Sequence, residues 1–322
     1  MARFLVRRIA QSLLVLFVVL TFVFVAGRMI GDPAILLLGP EASAADILRV
    51  RQQMGLEDPL WDQFVRFMLG AVRGDFGVTF RYGFAVPDVA HPGATGTPVL
   101  PLVLERLPAT YMLATAAMVF ACAVALVLGC LAAMHPRTAL DRAVNVFSLA
   151  GVSTVDFWLG FMLILLFSVQ LGWLPTSGAG SLSHLVLPAL TLAVRPIGRI
   201  TQLVRSAMLD ELAKPYVDAL RARGFSEPRI VFGHALKNAA IPTATMIGDE
   251  LLQIVQGAIV VEVVFAWPGV GSLLVTALSA RDLPLVEAAV FVLALTAITI
   301  NLIVDLVYTR LDPRVRFVHE AR

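Results

Sequence analysis

Five ionisable residues stand inside long apolar runs: Asp156, Arg195, Arg199, Asp249 and Glu250. A charge at hydrocarbon depth costs several kcal/mol unless it is paired or wetted, so residues of this kind pair, bind charged groups or line a polar route. The third apolar run reaches Asp156 after about 13 residues and the fourth reaches Arg195, from the opposite side, after about 11, which at roughly 1.5 Å per residue puts both near mid-depth. Arg199 follows one helical turn after Arg195 and shares its face. The spacing allows an ion pair Asp156–Arg195 or Asp249–Arg199. Two readings follow: the five line one polar cavity offering charges of both signs, or they lock neighbouring helices together.

A second concentration of charge lies between two apolar runs, from Tyr216 to Pro242, with Arg221, Arg223, Arg229 and Lys237. Lipid does not accept such a stretch, so it folds against something polar. Pro215 suits the first turn of a helix and Gly224 suits its left-handed exit. Arg221 and Arg223 complement the negative end of that helix dipole. Ser226 suits the N-cap of a second helix, with Glu227 and Pro228 in its first turn. Two short helices meeting at a glycine corner are expected, the second running towards Asn238, with Pro242 opening the next span.

The elements that hold these residues must be membrane helices. Hydrophobic residues make up 58% of the 322 and charged residues only 15%, with a mean hydropathy of +0.84. That balance excludes a soluble globular domain, and a net charge of +2 does not suggest nucleic acid. A helix needs roughly 20 apolar residues to cross a core about 30 Å thick. Six runs meet that length, near Ile9–Ile30, Leu107–Met134, Ala143–Gly172, His184–Ser206, Ile241–Phe265 and Leu285–Tyr308. The first follows Arg3, Arg7 and Arg8 but is too long for a signal peptide and reads as an uncleaved span.

Basic residues orient the chain. They gather at the N-terminus, at Arg137 and Arg142, through Lys214–Lys237, and in the tail at Arg310, Arg314, Arg316 and Arg322. The positive-inside rule places both termini and the 207–240 loop in the cytoplasm. The 31–104 segment falls outside; its five arginines are outnumbered by eight acidic residues. Within it Ala45–Met54 and Pro59–Val72 read as short helices, and the Gly- and Pro-rich remainder as an irregular loop. It serves as a cap over the helices or as a docking surface. Trp173 and Trp267 suit an aromatic belt, Glu262 a solvated helix end, and Gly248 and Gly257 close helix approach.

The sequence has no G-x-x-x-x-G-K-[ST] phosphate loop and no H-E-x-x-H zinc motif, so neither nucleotide hydrolysis nor metal chemistry is expected of it. Cys122 and Cys130 fall within one apolar run and read as small packing residues rather than a disulfide or metal pair.

Asp218-Ala219-Leu220, three residues, then Gly224, with Ile241-Pro242 closing the stretch, resembles the EAA-type loop of ABC importer permeases, with Asp218 in the Glu place. Gly31-Asp32-Pro33, Gly74-Asp75-Phe76-Gly77, the run from Phe265 to Leu274 with Arg281-Asp282-Leu283-Pro284, and the tail Asn301, Asp305, Leu311-Asp312-Pro313-Arg314 extend the likeness over nearly the whole chain. Together they resemble the first permease subunit of oligopeptide and dipeptide importers. The resemblance implies an all-α polytopic protein of the type I ABC importer permease fold, with six transmembrane helices in a single integral membrane domain spanning 1–322. It implies that Asp218, Ala219, Leu220, Arg221 and Gly224 contact an ATPase. It implies a second permease subunit, two cytoplasmic ATPase subunits or domains that carry ATP and Mg, an external substrate-binding protein, and a bacterial inner or plasma membrane. This chain would need no cofactor and hydrolyse nothing itself. The cargo would be di- or oligopeptides, or in the same family nickel, glutathione or a glycoside. A self-sufficient secondary transporter is the reading from another class, for which inverted halves are not obvious and the coupling loop would have no purpose.

Overall fold

A computed structural model of the chain describes residues 2–30, 34–35, 43–53, 55–79 and 97–311. Gly31-Asp32-Pro33, the middle of the external segment and the tail motif after Leu311 therefore lie outside the described residues. Among the described residues regular structure is helical, apart from an isolated antiparallel bridge between Val78 and Pro98. The helices are α1 (Ala2–Ile30), α2 (Ala44–Gln53), α3 (Leu60–Arg73), α4 (Val99–Met134), α5 (Ala139–Ser153), α6 (Asp156–Leu163), α7 (Leu182–Leu212), α8 (Pro215–Ala222), α9 (Glu227–Ile230), α10 (Leu236–Val264), α11 (Val270–Ala280) and α12 (Leu283–Leu311). A π-helical turn extends α6 over Ile164–Gln170, and another over Val231–Ala235 joins α9 to α10.

By length and composition three of these, α1, α4 and α12, hold apolar stretches able to cross a membrane, and α5 with α6 makes a fourth only as a bent pair. The pair bends by 108°. This corrects the expectation of one continuous helix over Ala143–Gly172. Thr154 is extended, and its hydroxyl bonds back to the Ala150 carbonyl at 2.7 Å, a local bond that competes with helix continuation. Asp156 then opens α6 in its first turn, where the positive end of the helix dipole favours a carboxylate. α7 and α10, of 31 and 29 residues, exceed spanning length but are interrupted by charge.

Local signals account for other boundaries. Thr138 caps α5, its hydroxyl accepting from the Asp141 amide at 3.4 Å. Gly74 ends α3 with φ of 73°, within the left-handed region that glycine adopts without strain. The loop after it is less irregular than expected: its two ends pair, Thr79 N bonding Thr97 O at 3.0 Å and Val99 N bonding Gly77 O at 3.2 Å.

The chain divides into two compact units. The first holds residues 1–108 and 268–298. Its core is Leu20, Phe76, Val99, Val103, Leu273 and Leu285 with their neighbours. α3 packs on α1 through aromatic rings, Phe64 lying 5.2 Å and Phe67 5.6 Å from Phe24 between centroids. Arg28 stacks over Phe24 and donates to Gln63 Oε1 at 2.6 Å. Thr79 donates to the buried carboxylate of Asp282, which fastens the segment after Gly74-Asp75-Phe76-Gly77 to the Arg281-Asp282-Leu283-Pro284 turn.

The second unit holds residues 109–267 and 299–322. Its core centres on Leu113, Ala117, Ala121, Ile200, Val204, Met208 and Phe265. Small residues set the helix spacing: a Cβ on Gly198 would stand 2.4 Å from the Ser148 carbonyl oxygen, and one on Gly248 would stand 2.6 Å from Val304 Cγ1. Two expectations fail in this unit. Glu262 is fully buried and accepts from Thr110 Oγ1 at 2.7 Å, so it is no solvated helix end. Trp267 is buried too, its indole donating to the Ala109 carbonyl at 2.9 Å rather than standing in an aromatic belt. Trp173 is exposed, and Cys122 and Cys130 are free thiols.

Candidate functional site

The basic segment folds as two short helices around a glycine corner. Pro215 occupies the first turn of α8, and Gly224 follows it with φ of 79°. Gly224 N bonds Arg221 O at 2.9 Å and Phe225 N bonds Leu220 O at 3.2 Å, closing the helix end with a left-handed exit. Ser226 takes the extended N-cap conformation before α9, but its hydroxyl makes no capping bond. The second helix does not stop near Asn238: it continues through the π turn into α10, so residue 242 lies inside a helix instead of opening one.

One side of this hairpin is anchored and the other is open. Val217, Ile230, Val231 and Ala235 are fully buried. Asp218, Ala219, Arg221, Arg223 and Gly224 are exposed, and Leu220 is half-buried. At the tip Arg221 bridges the two helices, reaching Asp218 Oδ1 at 3.2 Å on α8 and Glu227 Oε1 at 2.7 Å on α9. Hydrogen bonds from Arg221 hold the Glu227 carboxyl below its ordinary value. Arg229 lies over the Phe225 ring at 5.1 Å, and His234 meets the same ring edge-on at 5.7 Å.

At the base stands a residue the sequence reading did not single out. Glu211, near the end of α7, is buried and accepts from the Lys214 ammonium, from Tyr216 Oη at 2.9 Å and from Asn238 Nδ2 at 2.6 Å. Burial pushes its carboxyl up, but the donors from Lys214, Asn238 and Tyr216 outweigh it and leave it below the ordinary carboxylate value. A buried carboxylate beside a basic loop has no periodic signature, and its partner Asn238 is 27 residues away.

The charges expected at membrane depth form two pairs along α7. Asp156, at the start of α6, meets Arg195 at 3.8 Å. Arg199, one turn further along α7, meets Glu250 of α10 at 3.1 Å, not Asp249 as the spacing suggested. Asp249 is exposed on another face of the same helix. α7 thus carries one cation for α6 and one for α10. The carboxylate of Glu250 is buried with one oxygen, Oε2, unpartnered among the described residues, while Arg199 remains 43% exposed at its side chain. Gly257 leaves room for Asp156, whose Oδ2 would lie 3.4 Å from a Cβ there.

A further pair was not foreseen. Arg205 grips Asp141 with two bonds, at 2.5 and 2.8 Å, and the Arg137 amide and Asn145 side chain complete the carboxylate's shell at 3.0 Å each. This ties α5 to α7 three residues before the Met208 core contact. Paired helix-end signals of this sort are visible in sequence only as a capping Thr138 followed by Asp141.

No group in either cluster is arranged for nucleophilic or metal chemistry, and no group of three or more metal-ligating side chains occurs among the described residues. The arrangement is an exposed, basic hairpin joined to two long helices, one of which carries paired charges along its length.

Comparison with known proteins identifies the family. Residues 125–317 match the family described as binding-protein-dependent transport system inner membrane component, and residues 1–114 match its N-terminal companion. The chain is 38% identical to the glutathione transport system permease protein GsiC of Escherichia coli K12 over 318 residues, covering 98% of this chain and all of the relative. The same identity and coverage hold for the protein of that name from Shigella dysenteriae serotype 1. A solved structure described as an amino acid ABC transporter with histidines shares the fold, with a TM-score of 0.50 at 15% identity over 65% of this chain and 94% of that one. The chain belongs to the binding-protein-dependent transport system inner membrane component family and is a permease subunit of an ABC importer of type I fold.

Proposed function

We propose that this permease carries small peptides into the cytoplasm, and that the hairpin from Pro215 to Ala235 is the element through which partner ATPases drive it. The observation that supports the reading most is the exposed face of Asp218, Ala219, Arg221 and Gly224 around a left-handed corner, backed by fully buried Val217 and Ile230. A surface held this stiffly and left bare suits a groove on another protein. The positive-inside pattern puts it in the cytoplasm with both termini, in the inner or plasma membrane. ATP and Mg would bind the two ATPases, a second permease would complete the path, and an external binding protein would deliver cargo. The two permeases would then alternate between inward- and outward-open forms.

The paired charges support a zwitterionic cargo. A peptide in its zwitterionic form presents an ammonium and a carboxylate. Asp156–Arg195 and Arg199–Glu250 offer both signs at two levels of one helix, and Asp249 adds a further acid. Exchange of partners along the path would let the cargo pass without a deep well. Glutathione is a second reading, favoured by the relatives named for its transport; it is itself a tripeptide with the same charged groups.

Reconstitution of this chain with its second permease, ATPases and binding protein in proteoliposomes tests the proposal. ATP-dependent uptake of a labelled dipeptide, oligopeptide or glutathione is expected. Uptake that needs no ATPase, or an assembled complex that admits none of the three, would overturn it.

A further inference from the structure

We infer that Glu211 is a positioning residue for coupling: its single carboxylate ties both ends of the hairpin to one point on α7, so that a push on the hairpin moves α7 and α10 together. The inference rests on the proposed contact between this hairpin and an ATPase.

A displaced loop transmits force only through what joins it to the helices on either side. At its tip the hairpin is stiffened by Arg221, bonded to α8 and α9 at once. At its base α8 is joined to α7 by the short Ala213–Lys214 link, and α9 runs into α10 through a π turn. Such a turn widens the backbone ladder to i→i+5 bonds and interrupts the regular α-helical run. α7 and α10 pack on each other above the base and pair through Arg199 and Glu250, so a lateral tie at the base fixes the hairpin ends to that packed pair.

Glu211 supplies that tie. Its carboxylate is buried and accepts from Lys214 just before α8, from Tyr216 in the first turn of α8, and from Asn238 in the first turn of α10. Hydrogen bonds to a charged acceptor are about twice as strong as neutral ones, and burial spares them from screening. Take the carboxylate away and the Asn238–Tyr216 contact at 3.4 Å is the side-chain hydrogen bond that remains across the base, beside the apolar packing of Met208, Val231, Ala235 and Ala239. A long contact between two neutral groups cannot carry the same load.

The test uses the assembled complex. Glu211→Ala and Glu211→Gln are compared with the wild type for ATPase co-purification, for cargo moved per ATP hydrolysed, and for the spread of distances between nitroxides at Arg223 and Ser206, both exposed. With Glu211→Ala the ATPase still co-purifies, the distance distribution broadens, and transport per ATP falls about ten-fold, within the usual range for a lost coupling. Glu211→Gln keeps acceptors for Tyr216 and Asn238 but loses the charge that holds Lys214, and falls between. Should Glu211→Ala fail to insert, Asn238→Ala carries the test, since it cuts the tie to α10 alone and is expected to lower the same ratio. A wild-type ratio and an unbroadened distribution in these variants overturn the inference. Failure of the wild-type chain to retain an ATPase would overturn the coupling reading instead, whatever the variants do.

Discussion

Asn238 Nδ2 lies 2.6 Å from Glu211 Oε1, although 27 residues and the whole basic hairpin separate them in sequence. That bond closes the basic hairpin at its base, between the end of α7 and the first turn of α10.

The clamp has a pH signature. The Glu211 carboxyl is depressed in the folded protein, so its stabilisation is fully present above the ordinary carboxylate value, about 4.3 in the unfolded chain, and is lost as pH falls through the lower folded value. Thermal unfolding in detergent should show wild type more stable than Glu211→Gln at neutral pH, with the gap closing below about pH 4. A gap that widens on acidification contradicts this.

Arg221→Ala separates stability from coupling. Its ion pairs with Asp218 and Glu227 are exposed, and pairs of that kind contribute about 0–1 kcal/mol. The melting temperature should scarcely move, while ATP-driven uptake falls because α8 and α9 are no longer held at a fixed angle. Equal losses in both measurements would mean that the clasp serves folding only.

Arg199 and Glu250 should behave as a coupled pair. Breaking a buried ion pair by removing one partner costs about 3–5 kcal/mol when both are buried; here Arg199 is 43% exposed, so Arg199→Ala should cost less, but more than the double variant Arg199→Ala/Glu250→Gln. Thermal unfolding of the single and double variants closes the cycle. Strict additivity would show that the two do not interact.

Gly198→Ala tests the packing of α7 on α5. The new methyl would stand 2.4 Å from the Ser148 carbonyl, and forcing such a contact apart costs about 1–3 kcal/mol. A lower unfolding temperature is expected, with Gly224→Ala as contrast: nothing lies within 4 Å of its Cβ, so only backbone strain of about 1 kcal/mol arises. If the order of the two is reversed, the close approach of α5 and α7 is misjudged.

The helical class, the basic hairpin and its glycine corner were legible because each rests on local chemistry: apolar run length, charge between runs, Pro and Gly at helix ends. The pair Asp156–Arg195 was legible because both were placed at mid-depth, where neither could stand alone. Choosing between Asp249 and Glu250 for Arg199 was not, since consecutive residues point about 100° apart around a helix and only the packing of α10 decides which faces α7. The break at Thr154 escaped because Thr and Val are common in membrane helices; what bends the chain is a side-chain bond to Ala150. Glu262 and Trp267 lie near helix ends, which in sequence suggests exposure, yet packing covers both. Glu211 escaped because its partners are distant in sequence.

The central claim is that the exposed face of α8 meets an ATPase. A photo-reactive residue placed at Ala219, exposed in the middle of that face, tests it directly in membranes containing the full complex. A covalent product with the ATPase subunit is expected, with a yield that changes when ATP is added. A residue at Ala219 that labels lipid or the permeases alone, with no ATPase product in any nucleotide state, would contradict it.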